Sequence, residues 1–250
     1  MALNLYPTKS QRKPRECVSD LCAFVGNTNT ILLFVICRMF YFVKTPWWLK
    51  KIYPECVWQM PEGQKKIYLT FDDGPHPVAT SFVLEQLKKY NAKATFFCIG
   101  KNVEEYPFLY EELLDEGHSV GNHTYNHLNG WKTADAVYLD NIILAKQRID
   151  STLFRPPYGR ATKFQLRLLR QQGMQPIMWS VLSGDFDTQL SKEKCLQNVS
   201  GKIRDGSIVI FHDSAKAYER LEYVLPRVLE QFSVKGFQFE QITNSKLQNL

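Results

Sequence analysis

The sequence predicts an α/β fold whose parallel sheet closes towards a barrel. Between residues 66 and 245, seven apolar strand-like runs recur, each separated from the next by a stretch with helical apolar spacing. No long linker interrupts the series. Asp72, Asp73, His123, Arg155, Asp185 and His212 all fall just after such runs, and the strand C-terminal face of a parallel barrel is where functional groups gather.

Taken in order, residues 1–30 are polar and aperiodic, without a basic start, an apolar core and a cleavage site in succession. Ile31–Val43 is apolar apart from Arg38, but shorter than the ~20 residues a membrane-spanning helix needs. Thr45–Lys51 carries Trp47 and Trp48, either as an interfacial anchor or, the preferred expectation, as rings covering the bottom of the next domain. The expected organisation is a poorly structured or mis-started extension over 1–38, with Met39 as an alternative start. A Trp-rich segment over 39–65 then packs on or anchors the barrel, and a catalytic domain spans 66–245.

Ile67–Phe71 reads as a buried strand cut off by Gly74-Pro75, followed by a helix over Val78–Tyr90. Ala94–Ile99 is the second strand, and a helix over Val103–Glu116 ends at Gly117. Ser119–Gly121 is a short third strand, Ala134–Ser151 a helix, and Leu153–Arg155 a strand closed by Pro156-Pro157. The unit repeats with a helix over Ala161–Gln172 and a strand over Pro176–Val181, then Lys192–Ile203 and Ser207–Phe211. A helix over Tyr218–Val234 and a strand over Phe237–Gln241 complete the chain.

The net charge of +6 derives largely from residues before 67, and no nucleic-acid-binding motif accompanies it, so nucleic acid is not an expected partner. The six cysteines lack CxxC spacing and read as free thiols, which together with the absence of a standard signal peptide favours a cytoplasmic location. Membrane contact through 31–51 is the alternative, and oligomeric state is not legible.

Side chains alternate faces along a strand, so Asp72 and Asp73 converge on one site only because the ladder stops at Gly74-Pro75. Adjacent carboxylates repel unless a cation sits between them. His123 and His127, four residues apart, are expected to share one side of a helical turn. With Asp73 they make a two-histidine, one-carboxylate set that leaves a metal an open position; zinc is the expected ion, cobalt or nickel the alternatives. In Arg155-Pro156-Pro157-Tyr158-Gly159 the functional reading is a guanidinium that orients the free carboxylate and a stiff loop that presents a backbone N–H and the Tyr158 ring; the alternative, preferred for this stretch taken alone, is an ordinary proline-stiffened loop with a surface arginine. Ile208–Asp213 is a strand ending in His212, a candidate general acid.

Thr70–Pro75, His123–His127, Arg155–Gly159, Trp179–Phe186 and Ile210–Asp213, in that order, resemble the five motifs of NodB-type polysaccharide deacetylases, carbohydrate esterase family four. The resemblance covers Tyr68 to Gln241. It implies a distorted (β/α)7 barrel, one divalent metal, and removal of acetyl groups from acetylated sugars or polysaccharides such as chitin oligomers or peptidoglycan. Position by position it makes Asp72 the base and Asp73, His123 and His127 the metal ligands, with Arg155 bracing Asp72. Tyr158 would give its N–H to the oxyanion and its ring to the groove. Ile210 and Trp179 would contact substrate, and His212 would be the acid.

The fourth motif departs from the family pattern at Leu182 and Phe186, which removes the acid's usual carboxylate partner. Asp185 is expected to take that role ahead of Asp213, because Gly184 frees the backbone to turn Asp185 back to the mouth. Two other readings use the same residues: an O-acetyl polysaccharide esterase, and a catalytically silent sugar-binding barrel. The second has no need of Asp72 beside Asp73.

Overall fold

A computed structural model describes residues 41–248. The expectations for residues 1–38, for Met39 as a start and for most of Ile31–Val43 lie outside those residues.

The centre of the sheet is β1 (Lys66–Asp72), buried at every position after Lys66. A parallel strand covered on both faces has no need to alternate polar with apolar residues. After it come helix α2 (Ala79–Lys89) and strand β2 (Thr95–Cys98), then α3 (Gly100–Glu105), α4 (Pro107–Asp115) and β3 (Ser119–Asn122). Next are α5 (Asp135–Lys146), β4 (Leu153–Phe154), α6 (Lys163–Gln171), β5 (Gln175–Pro176) and β6 (Val181–Leu182). Last are α7 (Lys192–Ser200), β7 (Ile208–His212), α8 (Tyr218–Val234), β8 (Gln238–Phe239) and α9 (Asn244–Leu247), while α1 (Trp47–Ile52) precedes β1. The strand order is β5-β4-β3-β2-β1-β7-β6, with β8 parallel to the start of β1.

The two faces of these strands do different work. Leu69 and Phe71 face the helices, and Phe71 stacks on Phe96 and Phe211 of the flanking strands at 5.1 and 5.9 Å. The opposite rows face inwards: Tyr68, Phe97, Leu153 and Ile208 share a second core. Continuing those rows by twos carries Tyr68 to Thr70 and Asp72, Leu153 to Arg155, and Ile208 to Ile210 and His212. Gly121 belongs to the same interior layer, since a Cβ there would lie 2.5 Å from the Phe97 ring. The mouth is therefore the place where the inward rows run out.

Two boundaries differ from the sequence-based expectation. The helix expected over 103–116 is two helices, α3 and α4, because Pro107 restarts the helix at its first turn and cannot continue α3. The strand expected over 176–181 is β5 and β6 at opposite ends of the sheet order. Between them the chain bonds an N-terminal strap: Val57 N donates to Pro176 O (2.9 Å), Met178 N to Val57 O (2.8 Å) and Thr45 N to Ser180 O (3.0 Å). The strap thus sits where the barrel would otherwise gape. Trp58, 7% exposed, donates its Nε1 to Tyr53 O at 3.0 Å and packs into the core with Cys56 and Met178. Trp47 and Trp48 do not cover the domain as expected, for both are exposed.

Candidate active site

The register of the central strands sets Asp72 beside His212 of β7 and Phe97 of β2. Asp72 is 2% exposed, and Arg155 Nη1 donates to its Oδ1 at 2.7 Å. Arg155, fully buried, spends its remaining donors on Thr70 Oγ1 (2.7 Å), Ile177 O (3.0 Å) and Met178 O (2.9 Å), with its guanidinium 4.0 Å over the Phe97 ring. A buried guanidinium so satisfied is a fixed strut, and it holds one carboxylate oxygen of Asp72 in place.

Asp73 leaves the strand alternation at φ 80° and turns back towards the same mouth, where Asn102 Nδ2 donates to its carbonyl at 2.7 Å. Its neighbour Gly74 has no room for a side chain: a Cβ would lie 2.0 Å from Asp213 Oδ2. Asp213 holds this turn by accepting Gly74 N (3.1 Å) and the Thr80 hydroxyl (2.5 Å), and burial pushes its pKa up to about 8. Gly74→Ala is therefore expected to cost about 1–3 kcal/mol of stability by forcing the turn off Asp213, read as a lower denaturant midpoint.

His123 and His127 do not share a helical turn. The segment is a loop with Thr124 and His127 at φ 62° and 56°, supported by Asn141 Oδ1, which accepts Tyr125 N and Asn126 N at 2.9 Å each. The left-handed residues bring the two imidazoles together where helical spacing does not. His123 Nδ1 is 2.8 Å from Arg155 O; a carbonyl can only accept, so Nδ1 carries the proton and Nε2 keeps its lone pair. Burial and the His127 charge lower the His123 pKa to about 4, so the ring is neutral at pH 7.

Asp73 Oδ1 is the point of convergence. It lies 3.6 Å from His123 Nε2 and 3.1 Å from His127 Nε2, and the three ligand atoms fall within 4.8 Å of one another. This oxygen is buried and makes no hydrogen bond of acceptable geometry among the described residues. Burial alone would raise the Asp73 pKa, yet His127, His212 and His123 hold it well below the usual carboxylate range. An ionised, unsatisfied oxygen facing two imidazoles, one with its lone pair assigned, fits a divalent metal.

His212 and Asp185 form a second buried pair. Asp185 Oδ1 accepts His212 Nδ1 at 2.7 Å, and Oδ2 accepts the His212 backbone N–H at 2.8 Å. Ser183 donates to the same Oδ1 at 2.9 Å, and Arg220 Nε donates to Asp185 O at 2.7 Å. Leu182, where the carboxylate was expected to be lost, is a sheet residue paired with Ile210. Phe186 meets the His212 ring edge-on at 5.2 Å.

Tyr158 is 60% exposed at φ 61°, its ring 4.6 Å from that of His127, and its N–H donates to no group among the described residues. Ile210 is 2% exposed on the interior row below His212. Trp179 is half-buried beneath the Tyr158 turn, close enough that a Cβ on Gly159 would meet it at 2.6 Å. Thr70, Asn102, Asn141 and Ser183 were not singled out from sequence. Thr70, Asn102 and Asn141 act through hydrogen bonds to a residue distant in sequence or to a loop backbone, and Ser183 through the side chain of Asp185 two residues on; none of these contacts leaves a motif.

The polysaccharide deacetylase family profile matches residues 59–177. A peptidoglycan-N-acetylglucosamine deacetylase of Bacillus cereus is 32% identical over 192 residues, covering 74% of this chain and 90% of the relative. A chitooligosaccharide deacetylase of Azorhizobium caulinodans is 34% identical over 162 residues, 62% of this chain and 77% of its own. Among solved structures, a peptidoglycan N-acetylglucosamine deacetylase in complex with 4-naphthalen-1-yl-N-oxidanyl-benzamide superposes with a TM-score of 0.73 at 30% identity, covering 79% of this chain and 95% of that one. The distorted (β/α)7 architecture is therefore shared, and the chain belongs to the polysaccharide deacetylase family, the carbohydrate deacetylases of carbohydrate esterase family four.

Proposed function

We propose that this chain removes acetyl groups from N-acetylated amino sugars in oligomers of the peptidoglycan or chitin type, with Asp72 as base and His212 as acid. The observation that carries the reading is one of arrangement. An Arg155-braced carboxylate and an Asp185-bound imidazole stand on adjacent strand ends beside the Asp73, His123 and His127 cluster. Those three residues would hold a divalent metal, zinc by donor type, which lowers the pKa of water and polarises a carbonyl oxygen when bound.

The chain's own residues account for the proton traffic. Asp72 Oδ2, the oxygen not engaged by Arg155, accepts the proton of the water that attacks the acetyl carbonyl. The Tyr158 N–H donates to the carbonyl oxygen as charge develops there, and the exposed ring offers a face to the sugar. The acetyl methyl is taken by the apolar lining that includes Ile210, with Trp179 supporting the Tyr158 turn. His212, protonated at both nitrogens, releases its Nε2 proton to the leaving amine. The catalytic unit takes in the strap from residue 42 as well as 66–245.

The test is acetate release, with and without added metal, from chitin oligomers, peptidoglycan and acetylxylan. Release from acetylxylan alone would replace this reading by an O-acetyl esterase, and no release from any of them by a silent barrel. Metal analysis of a His123→Ala/His127→Ala double variant should show stoichiometry collapsing from one per chain, with kcat falling together with it. Full metal retention in that variant would place the ion elsewhere.

A further inference from the structure

Helix α1 meets the core through the partly buried Leu49. None of its residues is buried, and Trp47 and Trp48 are 68% and 43% exposed, with Ile52 exposed beside them. One exposed tryptophan is ordinary. Two in succession form an outward apolar face here, because the strap fixes the chain to the barrel on both sides of α1, through Thr45 and Val57.

The surroundings of this face are predominantly positive. Residues 41–54 contain Lys44, Lys50 and Lys51 and no acidic residue, and residues 151–184 contain five arginines and lysines and no acidic residue. The two stretches pack side by side: Leu49 and Tyr53 join the cluster of Leu166 and Leu169, Lys163 Nζ lies 5.8 Å over the Tyr53 ring, and Arg170 donates to Glu55 O at 3.2 Å. Lys44, Lys51, Arg160, Lys163, Arg167 and Arg170 are all exposed there. Glu55 and Asp135 border the flank, and two carboxylates against six cations leave it net positive.

We propose that this flank is a peripheral docking surface for an anionic lipid bilayer. Tryptophan rings settle at headgroup depth, and lysines and arginines around them are drawn to anionic headgroups within about a Debye length. Lys51 Nζ lies 5.0 Å over the Trp47 ring, so a cation and an indole already stand together on this face. A soluble polyanion would use the cations but would leave Trp47, Trp48 and Ile52 in water, which favours lipid. The mode proposed for this flank is attachment at the surface; among the described residues no helix is long and apolar enough to cross a membrane. The flank reaches the catalytic mouth at Arg160, two residues beyond Tyr158. The inference goes beyond the deacetylase reading and stands apart from it, because binding is measured without substrate.

The experiment is co-sedimentation of the full chain with phosphatidylglycerol/phosphatidylcholine vesicles and with phosphatidylcholine vesicles, at low and high salt. Sedimentation is expected with the anionic vesicles and to weaken with salt. Trp47→Ala/Trp48→Ala and, separately, Lys51→Glu/Lys163→Glu/Arg167→Glu are each expected to weaken it by about tenfold or more, with the melting temperature little changed. Should either multiple variant fold poorly, Trp47→Ala alone, at the most exposed position, repeats the test. Absence of binding to anionic vesicles overturns the proposal, as do variants that sediment like the wild type. Tight heparin binding that survives the tryptophan changes, without vesicle binding, would assign the flank to a soluble polyanion instead.

Discussion

Asp72→Asn is expected to lower kcat by about 10²–10⁴-fold while metal content stays near one per chain. The side chains are of equal size, and an amide oxygen can still accept from Arg155 Nη1, so the strut remains in place. What is lost is the carboxylate that takes a proton from the attacking water. Metal should be retained because Asp72 stands apart from the ligand cluster: its Oδ2 is 3.8 Å from His123 Nε2, whereas Asp73 Oδ1 approaches both imidazoles more closely, at 3.6 and 3.1 Å. Arg155 also loses its counter-charge, so some stability is lost, and the assay is run well below the melting transition to keep the two effects apart. Metal content and turnover falling together would make Asp72 a ligand and leave the base unassigned.

How far the sequence could be read depended on whether a feature was local. β1 was legible because Ile67–Phe71 is a buried run ended by Gly74-Pro75, and α8 because seventeen residues from Tyr218 to Val234 keep one apolar face. The strand over 176–181 was misread for a non-local reason. Its apolar run is real, but between β5 and β6 the chain bonds the strap at Thr45 and Val57, well over a hundred residues away, while Ile177 and Ser180 keep single backbone bonds to Phe154 and Ile208. Asp73, His123 and His127 were legible as a cluster, although the helical turn expected to join the two imidazoles is a loop. Composition pointed to two imidazoles and a carboxylate, while the left-handed conformations of Thr124 and His127 that bring them together belong to residue types that rarely advertise them. Likewise Trp58 and Trp47 are alike as residues, yet one is buried and the other exposed, and what decides between them is which side of the strap meets the barrel.

Asp185→Asn is expected to move the alkaline limb of the pH–rate profile to lower pH, by on the order of 1–3 units, leaving metal content unchanged. Burial lowers the His212 pKa, but the charge and hydrogen bond of Asp185 outweigh it, Asp73 and Asp72 add to them, and the imidazole is held up at about 9. The sign follows from a group raised above its unfolded value of 6.5: the stabilisation of the imidazolium is fully present below that pH and is lost as pH rises through about 9. An acid required in its protonated form therefore stays competent to about 9 in the wild type. Asparagine keeps the size of Asp185 but brings no charge, and its single carbonyl oxygen cannot serve both the His212 ring and the backbone N–H as the two carboxylate oxygens do. Turnover near pH 8 should then fall by about twofold for a one-unit shift and about tenfold for two, with most of it recovered on the acid side of the shifted limb. Asp213→Asn is the control. Both Asp213 oxygens are committed to Gly74 and Thr80, so that change should loosen the turn carrying Asp73 and leave the limb where it was. An unmoved limb in Asp185→Asn alongside a shifted one in Asp213→Asn would transfer the role to Asp213 through a rearrangement of the mouth.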